Sequence, residues 1–262
     1  MPRKYFMYIL PMLLFGINVS AQTVTLDYYF NHEVHKVNGK PERFHYLWNE
    51  RANPGFYIWG EIFRQHGAKL DTLDQAPTMQ NLAKSDIYII VDPDSKKENQ
   101  NPNYITKEHV KQIAAWVKKG GVLVLMANDS ANVELPHFND LAQQFGFHFN
   151  NDMQNHVTDD NHFEDGAIVP VNNPVFKTAK KLFLKDVCGI SSTGKSVIPV
   201  LTAGSGVPIA VYTKYGKGTV FAVGDPWLYN EYVNGRLPAG FDNDKAANDL
   251  TAWLLQQTRK KL

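Results

Sequence analysis

Two uninterrupted apolar runs constrain this fold more than any other feature of the sequence. Residues 87–91 read Ile-Tyr-Ile-Ile-Val, and residues 122–126 read Val-Leu-Val-Leu-Met. Runs of this length are typical of strands buried on both faces, as in a parallel sheet. Between them, Thr106 can cap a helix that ends at Gly120-Gly121. A strand, a helix and a second strand at this spacing predict a right-handed βαβ crossover.

The rest of the chain extends this pattern into a doubly wound, mostly parallel α/β sheet over residues 22–262, which we interpret as a single domain. A Lys-Tyr-Gly-Lys-Gly turn between two short C-terminal strands predicts an antiparallel hairpin that extends the sheet. Residues 31–54 show no clear period, so we interpret them as a long loop. The other predicted strands lie at 23–29, 69–73, 147–149, 197–201, 208–213 and 219–223, and the other helices at 54–67, 136–145 and from 242 onward.

The first 21 residues have the form of a cleavable export signal. Arg3 and Lys4 precede an apolar run over residues 5–17, and Val-Ser-Ala at 19–21 places small residues before a predicted cut ahead of Gln22. The apolar run is shorter than the ~20 residues that a membrane-spanning helix needs, so a retained anchor is the weaker alternative. We therefore expect a periplasmic protein that has no membrane contact after cleavage.

The charge balance excludes some classes of partner, and the single cysteine excludes an internal disulfide. With 27 basic and 26 acidic residues the net charge is +1, which predicts no nucleic-acid groove and no patch for acidic membranes. Cys188 is the only cysteine, so the chain has no internal disulfide and its fold depends on its apolar core. The histidines lack metal-ligand spacing, so no residue is assigned as a metal ligand, and the sequence predicts no cofactor.

Polar residues follow both buried strands, at the sheet edge where open α/β sheets bind ligands. Asp92 and Asp94 come directly after the first strand, where they can act as acid and base or hold a divalent cation. Asp-Pro-Asp-Ser is also common turn chemistry, which is the alternative. Asn128 and Asp129 follow the second strand and suit hydrogen bonding to a polar ligand, with helix capping as the alternative. Ser130 lacks the flanking glycines of a nucleophile elbow.

A third polar segment follows the predicted C-terminal hairpin. Residues 224–232 read Gly-Asp-Pro-Trp-Leu-Tyr-Asn-Glu-Tyr, which places two carboxylates, an amide and three aromatic rings close together. Aromatic faces beside hydrogen-bonding groups suit a sugar ring. The alternative is a buried loop in which Trp227 belongs to the core and Asp225 caps local amides. The candidates from this segment are Asp225 and Glu231 as acid–base groups and Trp227, Tyr229 and Asn230 as substrate-binding groups.

The predicted early loop supplies two further candidates for substrate binding, His45 and Trp48. A loop of this length in a compact domain is either functional or disordered. Its aromatic content argues against disorder, because disordered segments are poor in aromatic residues.

The sequence resembles known proteins at two levels. Residues 86–149, with Tyr-Ile-Ile-Val-Asp-Pro-Asp and Ile-Ala-Ala-Trp-Val-Lys-Lys-Gly-Gly-Val-Leu-Val-Leu, resemble the class I glutamine amidotransferase-like superfamily. Phe-His-Tyr-Leu-Trp at 44–48 and residues 215–232 look like an exported family of Bacteroidetes whose members occur alone or fused to unsaturated rhamnogalacturonyl hydrolases. The resemblance implies a flavodoxin- or amidotransferase-like fold and a role in handling pectin.

One departure from the superfamily separates this chain from its glutaminases. Those enzymes carry a cysteine after the second buried strand and a later His-x-Glu, and this chain has neither. Three hypotheses remain, of which the least favoured is a cell-envelope scaffold whose site has become vestigial. The first is a hydrolase acting on acidic oligosaccharides such as rhamnogalacturonan through carboxylates from Asp92, Asp94, Asp225 and Glu231. The second is a non-catalytic carbohydrate-binding or accessory domain that serves a partner glycoside hydrolase.

Overall fold

The computed structural model describes residues 21–129 and 131–259, and a seven-stranded sheet forms the centre of this region. The predicted export signal, apart from Ala21, and Ser130 lie outside the described residues. The strands are β1 (Thr23–Asp27), β2 (Val34–Val37), β3 (Lys40–Arg43), β4 (Lys69–Leu73), β5 (Ile87–Val91), β6 (Val122–Met126), β7 (Phe147–Phe149), β8 (Ala167–Ile168), β9 (Leu182–Phe183), β10 (Ile190–Ser192), β11 (Ile198–Thr202), β12 (Pro208–Tyr215) and β13 (Gly218–Val223). The helices are α1 (Tyr57–Gln65), α2 (Lys107–Lys118), α3 (Leu135–Gln143), α4 (Asn230–Val233) and α5 (Asn243–Arg259).

The central sheet has the strand order β11-β12-β13-β6-β5-β1-β4. The five strands from β13 to β4 run parallel, whereas β12 and β11 extend the sheet in antiparallel pairing. Counted in chain order among themselves, the parallel strands follow the order 2-1-3-4-5, which is the flavodoxin-like doubly wound arrangement. The predicted mostly parallel sheet with an antiparallel C-terminal extension is therefore confirmed.

Helix α2 shows how the sequence places the strands around the site. The Thr106 side chain accepts a hydrogen bond from the backbone N–H of His109, and the His109 ring accepts one from the Thr106 backbone N–H. Gly120, with φ of 118°, ends the helix. A Cβ atom on Gly121 would lie 2.5 Å from the Trp116 ring, so only glycine lets the chain turn this tightly into β6.

Helices cover both faces of the sheet. On β5, Ile87 and Ile89 contact the core beneath α1 and α5, whereas Tyr88 and Ile90 contact the core beneath α2 and α3. Each fully buried apolar side chain of this kind stabilises the fold by about 2 kcal/mol. Within the residues that the structure describes, no helix is both long enough and apolar enough to cross a membrane.

The predicted early loop is wrong in part, because residues 34–43 form a β-hairpin. Strands β2 and β3 pair antiparallel around Asn38 and Gly39, whose φ angles are 51° and 78°. Positive φ at both central residues is the geometry of the tight hairpin turn that Asn-Gly favours. The strands carry few apolar residues and are mostly exposed, so they lack the alternating pattern by which a strand is recognised.

Candidate functional site

The ends of β5, β6 and β13 bring three of the predicted site residues together. Asp92, Asn128 and Asp225 follow these strands at the carboxyl edge of the sheet. The Asn128 Nδ2 donates to Asp92 Oδ2 at 3.0 Å. The negative charge of Asp92 also acts on Asp225. These three side chains therefore lie together beyond the ends of parallel strands, where open α/β sheets bind ligands.

Asp92 is the most constrained carboxyl group at this edge. Its Oδ2 also accepts a hydrogen bond from the Tyr46 hydroxyl at 2.7 Å, while Oδ1 is buried and has no partner among the described residues. The side chain of Asn31 fixes the backbone by donating to the Asp92 carbonyl at 2.9 Å. Burial raises the pKa of Asp92 to about 7, and the charges of Glu98 and Glu33 act in the same direction.

Asp225, which follows β13, has the same arrangement as Asp92: one oxygen is bonded to a tyrosine and the other is buried without a partner among the described residues. Its Oδ1 accepts from the Tyr229 hydroxyl at 3.1 Å, and Oδ2 is buried without a partner in the described part of the chain. Burial raises the pKa of Asp225 well above its ordinary range, although Tyr229 and the charge of Lys185 act against this rise. The rings of Tyr229 and Tyr46 stack at 5.6 Å, which joins the two carboxyl groups into one buried carboxyl network.

The buried carboxyl network therefore consists of Asn128, Asp92, Tyr46, Tyr229 and Asp225. Burial raises the pKa of both tyrosines well above the ordinary value, so the phenols stay protonated and donate to the carboxylates. Asp92 and Asp225 are each only 4% exposed. Asp92 can hold a proton near neutral pH, but an oligosaccharide cannot contact either carboxyl group in this arrangement.

Cys188 borders the network although it lies far away in sequence. Its Sγ donates to the Asn128 carbonyl, and burial raises the pKa of the thiol to about 12. A nucleophilic cysteine needs a thiolate, so this environment does not support one. Gly224 permits the contact, because a Cβ atom there would lie 1.9 Å from the Cys188 carbonyl oxygen. Sequence reasoning missed Cys188 and Tyr46 as neighbours of the carboxylates, since no local pattern links them to the strand ends.

Asp94 and Asp129 accept hydrogen bonds from the chain around them and do not enter the network. Asp94 is 2% exposed, and its carboxylate accepts from the His32 backbone N–H at 3.0 Å and from Asn99 Nδ2 at 2.7 Å. Burial raises the pKa of Asp94 to about 6. Asp129 accepts from the backbone N–H of Ala131 at 2.8 Å. Asp129, and Asp94 through Asn99, thus have the local contacts of the alternative interpretation, whereas the bond from His32 joins Asp94 to the chain that follows β1.

The predicted residues of α4 are also engaged by the protein itself. Glu231 pairs with Arg236 at 2.9 Å, outside the network. Asn230 accepts from the backbone N–H of Ile58 at 2.9 Å and donates to the carbonyls of Glu50 and Ala52 at 2.8 and 2.7 Å. This buried amide fastens the final segment to the chain that precedes α1.

Trp227 and Trp48 lie in the core, which corrects the prediction of a sugar platform. Trp227 is fully buried and packs edge-to-face on Phe176 at 5.9 Å. Its Nε1 has no hydrogen-bond partner among the described residues. Trp48 is 5% exposed, packs on Trp59 at 5.8 Å and donates through its indole to the Asp71 carbonyl. Neither ring presents a free face, because packing against the helices covers both.

Accessible rings at this edge belong instead to the hairpin segment, where His35 is exposed and Phe44 and His45 are half-buried. His35 stacks on Phe44 at 4.4 Å with an interplanar angle of 10°, and Phe44 contacts His45 at 4.1 Å. We call His35, Phe44 and His45 the rim rings. The His45 Nδ1 bonds Glu33 at 2.7 Å; although burial disfavours the charged imidazole, this carboxylate raises the pKa of His45 above its ordinary value. Tyr46 follows directly, so the rim rings lie beside the buried network.

Metal ligation has no support at this edge. Over residues 21–129 and 131–259, no group of three or more histidine, cysteine, aspartate or glutamate side chains is arranged to hold a metal ion.

Comparisons with known proteins identify a family and a set of structural relatives. The family described as "Domain of unknown function (DUF4350)" matches residues 49–234. No curated protein matches the sequence. The structure is similar to the N-terminal domain of mmIFT52, at 17% identity and a TM-score of 0.66, covering 89% of this chain and 97% of that one. It is also similar to the cytoplasmic protein STM1381 from Salmonella typhimurium LT2, at 15% identity and a TM-score of 0.59, covering 90% and 98%.

A third relative is an enzyme that is much longer than this chain. The β-galactosidase from Rahnella sp. R3 matches at 16% identity and a TM-score of 0.52, over 91% of this chain and 31% of that chain. The present chain thus spans about a third of that enzyme's length. At these identities the likeness establishes the fold alone.

Proposed function

This chain belongs to the DUF4350 family, and we propose that it is an exported, non-catalytic domain that binds carbohydrate on behalf of a partner hydrolase. The observation that carries this proposal is the burial of the Asp92 and Asp225 side chains. Both lie where a catalytic pair is expected, yet each is only 4% exposed and bonded to a tyrosine, Tyr46 or Tyr229.

Glycoside hydrolysis needs two carboxyl groups that face the scissile bond from opposite sides. Here the remaining predicted acids do not complete such a pair. Asp94 is buried and bonded to His32 and Asn99, and Glu231 is paired with Arg236 outside the network. The arrangement therefore favours the accessory function over the hydrolase.

Two observations favour carbohydrate as the ligand. The fold matches about a third of a β-galactosidase, so a domain of this shape occurs as part of a hydrolase. The rim rings also combine apolar faces with polar edges, since Phe44 stacks on His35 and His45 carries a bonded carboxylate. Sugar rings are recognised by this combination of surfaces.

The compartment and the ligand class are parts of the same proposal. The export signal predicted from residues 1–21 would deliver the domain to the periplasm. The resemblance to proteins fused with unsaturated rhamnogalacturonyl hydrolases makes acidic rhamnogalacturonan oligosaccharides the first ligands to test, with neutral galacto-oligosaccharides as the second class.

The binding test is titration calorimetry of the mature chain with both oligosaccharide classes. We expect Phe44→Ala to weaken binding by about tenfold, since one aromatic platform contributes about 1.5 kcal/mol. Tyr104→Ala is the matched control, because it removes another ring that stacks on a histidine, His137, at 4.7 Å outside the rim rings. Absence of heat with every oligosaccharide would contradict the proposal.

The catalytic alternative has its own test. Products of the same oligosaccharides are followed by chromatography for the wild type, Asp92→Asn and Asp225→Asn. We expect no products from any of the three proteins. Products from the wild type that disappear in either variant would show that the network opens during catalysis and would restore the hydrolase hypothesis.

A further inference from the structure

An exposed apolar segment lies well apart in sequence from the residues of the buried network. Val171 and Val169 are 75% and 64% exposed, more than any other large apolar side chain in the described residues. They flank Pro170 and are two positions apart, so in extended backbone their side chains project to the same side. Exposed valines in this arrangement are typical of a surface that another chain covers.

The backbone of this segment is also unpaired. Strand β8 pairs with β9 for only two residues, Ala167 with Phe183 and Ile168 with Leu182. Beyond Ile168 the chain continues without a strand partner within the described residues. The N–H and C=O groups of Val169 and Val171 therefore offer an edge to which an extended peptide can add.

A groove of about 580 Å³ runs beside this edge. Phe176 and Ala179, which are buried, form its apolar side, and Lys177 and Lys180 are exposed at its rim. The lining contains no aspartate or glutamate. The groove therefore combines an apolar side with a positive rim.

The nearest carboxylates do not neutralise this rim. Asp249 accepts from the backbone N–H groups of Lys177, Thr178 and Ala179 at 2.7 to 3.1 Å, so it satisfies the backbone and not an ammonium group. Asp242 binds the Lys180 backbone N–H at 2.9 Å and pairs with the Lys245 side chain. The Lys177 ammonium itself donates to the Asn173 carbonyl at 2.7 Å, so its described partner is neutral.

One of the two edge strands of the central sheet, β11, is protected by comparison. In β11, Pro199 lacks an N–H donor and the register shifts on both sides of Leu201. The Asn173 side chain also donates to the Val200 carbonyl, which occupies one position of that edge. The segment at 169–171 contains a proline, Pro170, but neither a register shift nor, among the described residues, a side chain bonded to its backbone. It is therefore a more accessible edge than β11.

We infer that the groove binds an extended, acidic peptide segment of a protein partner. The peptide adds as a strand beside residues 169–171, its apolar side chains contact Val169 and Val171, and its carboxylates face Lys177 and Lys180. This inference does not depend on sugar binding, because it uses none of the rim rings or network residues.

The test uses fluorescein-labelled peptides and the mature chain in an anisotropy titration. The probes are a Glu-Val-Glu-Val-Glu-Val peptide and its Lys-Val counterpart. We expect the acidic peptide alone to bind, more weakly as salt rises. The double variant Lys177→Glu/Lys180→Glu should weaken binding by about tenfold or more, since two exposed ion pairs are replaced by repulsion. Val171→Asp should cause a comparable loss.

A matched control is Lys36→Glu/Lys40→Glu, which reverses two exposed lysines of the β2–β3 hairpin and should leave binding unchanged. Equal binding of both peptides, or binding of neither, overturns the inference. Self-association in sedimentation that Val171→Asp abolishes would identify a second copy of this chain as the occupant and also overturn it. None of these outcomes bears on the calorimetry with sugars, so the two proposals fail separately.

Discussion

The early segment, residues 31–48, and the final segment, residues 224–233, are both rich in aromatic and polar residues at the carboxyl edge of the sheet, but the fold uses them differently. In the final segment Trp227 is fully buried and Asn230 satisfies backbone groups of another segment. In the early segment His35 and Phe44 remain accessible and stack on one another. The difference shows that a segment's aromatic composition does not reveal whether its rings pack in the core or remain accessible to a ligand.

The two segments meet at the buried carboxyl network. Tyr46 comes from the early segment and Tyr229 from the final one, and each donates to a carboxyl group at the end of a strand. The final segment therefore supplies rigidity, whereas the early segment supplies both a network residue and an exposed surface. Substitutions in the two segments should accordingly have very different effects.

The largest effect is expected from Trp227→Ala in the final segment. Removing a fully buried indole leaves a cavity, and we expect the free energy of unfolding to fall by about 4 kcal/mol in urea denaturation. Trp227→Phe, which retains a ring and loses no hydrogen bond, should cost much less. A loss under about 1 kcal/mol for the alanine variant would place the ring outside the core and remove the distinction between the segments.

Asn230→Ala tests how the final segment is fastened. The substitution leaves the Ile58 N–H and two carbonyls without their buried partner, so we expect a loss of about 3 kcal/mol in the same measurement. Asn234→Ala is the control, because Asn234 is exposed and its side chain accepts, among the described residues, only from the Arg236 backbone N–H. Equal losses from the two variants would show that Asn230 does not hold the segment.

The junction between the segments should respond to pH. Burial raises the pKa of Asp92 to about 7, so between about pH 4 and pH 7 the folded protein keeps a proton that the unfolded chain releases. The free energy of unfolding therefore falls as pH rises through this window. The side chain in Asp92→Asn is neutral at every pH, so the free energy of unfolding of this variant should fall less steeply than that of the wild type. Above pH 7 we expect the variant to be more stable than the wild type by about 1 kcal/mol or more.

Asp94→Asn provides the contrast for this experiment. Both carboxylate oxygens of Asp94 accept from the His32 backbone N–H, so the amide would place a donor against a donor. We expect this variant to lose stability across the whole pH range. A pH profile for Asp92→Asn that is parallel to that of the wild type would show that Asp92 does not titrate in the window.

The smallest effect on stability is expected from Phe44→Ala in the early segment. The ring is half-exposed, so the free energy of unfolding should change by no more than about 0.5 kcal/mol. A loss of 2 kcal/mol or more, about what burial of a whole side chain contributes, would make Phe44 a core residue. The early segment would then resemble the final one, and its surface could not be assigned to a ligand.

Strong local patterns allowed much of the fold to be predicted. The runs at 87–91 and 122–126 coincide with β5 and β6, because continuous apolar residues are needed where both faces of a strand are covered. The predicted cap at Thr106 is also confirmed; it was predictable because its partner, His109, lies only three residues away. The β2–β3 hairpin was missed because its strands are exposed and polar, although Asn38-Gly39 carried a turn signal.

The candidate site was predictable only in part. Asp92, Asn128 and Asp225 were located because their positions follow from strand ends. The buried state of these carboxyl groups was not predictable, since it depends on Tyr46 and on the Cys188 segment, which fold over the edge from distant parts of the chain. Likewise, no sequence pattern reveals that Asn230 has three backbone partners on another segment.

The backbone at Asp92 has a consequence for any mutational library. Its φ of 42° lies in the left-handed region, which aspartate, asparagine and glycine tolerate far better than other residues. Selection for folding alone would thus return the same short set of residues at position 92 as selection for a chemical role. The enrichment of aspartate over asparagine in each selection, and not the exclusion of other residues, is the quantity that reports on the carboxyl group.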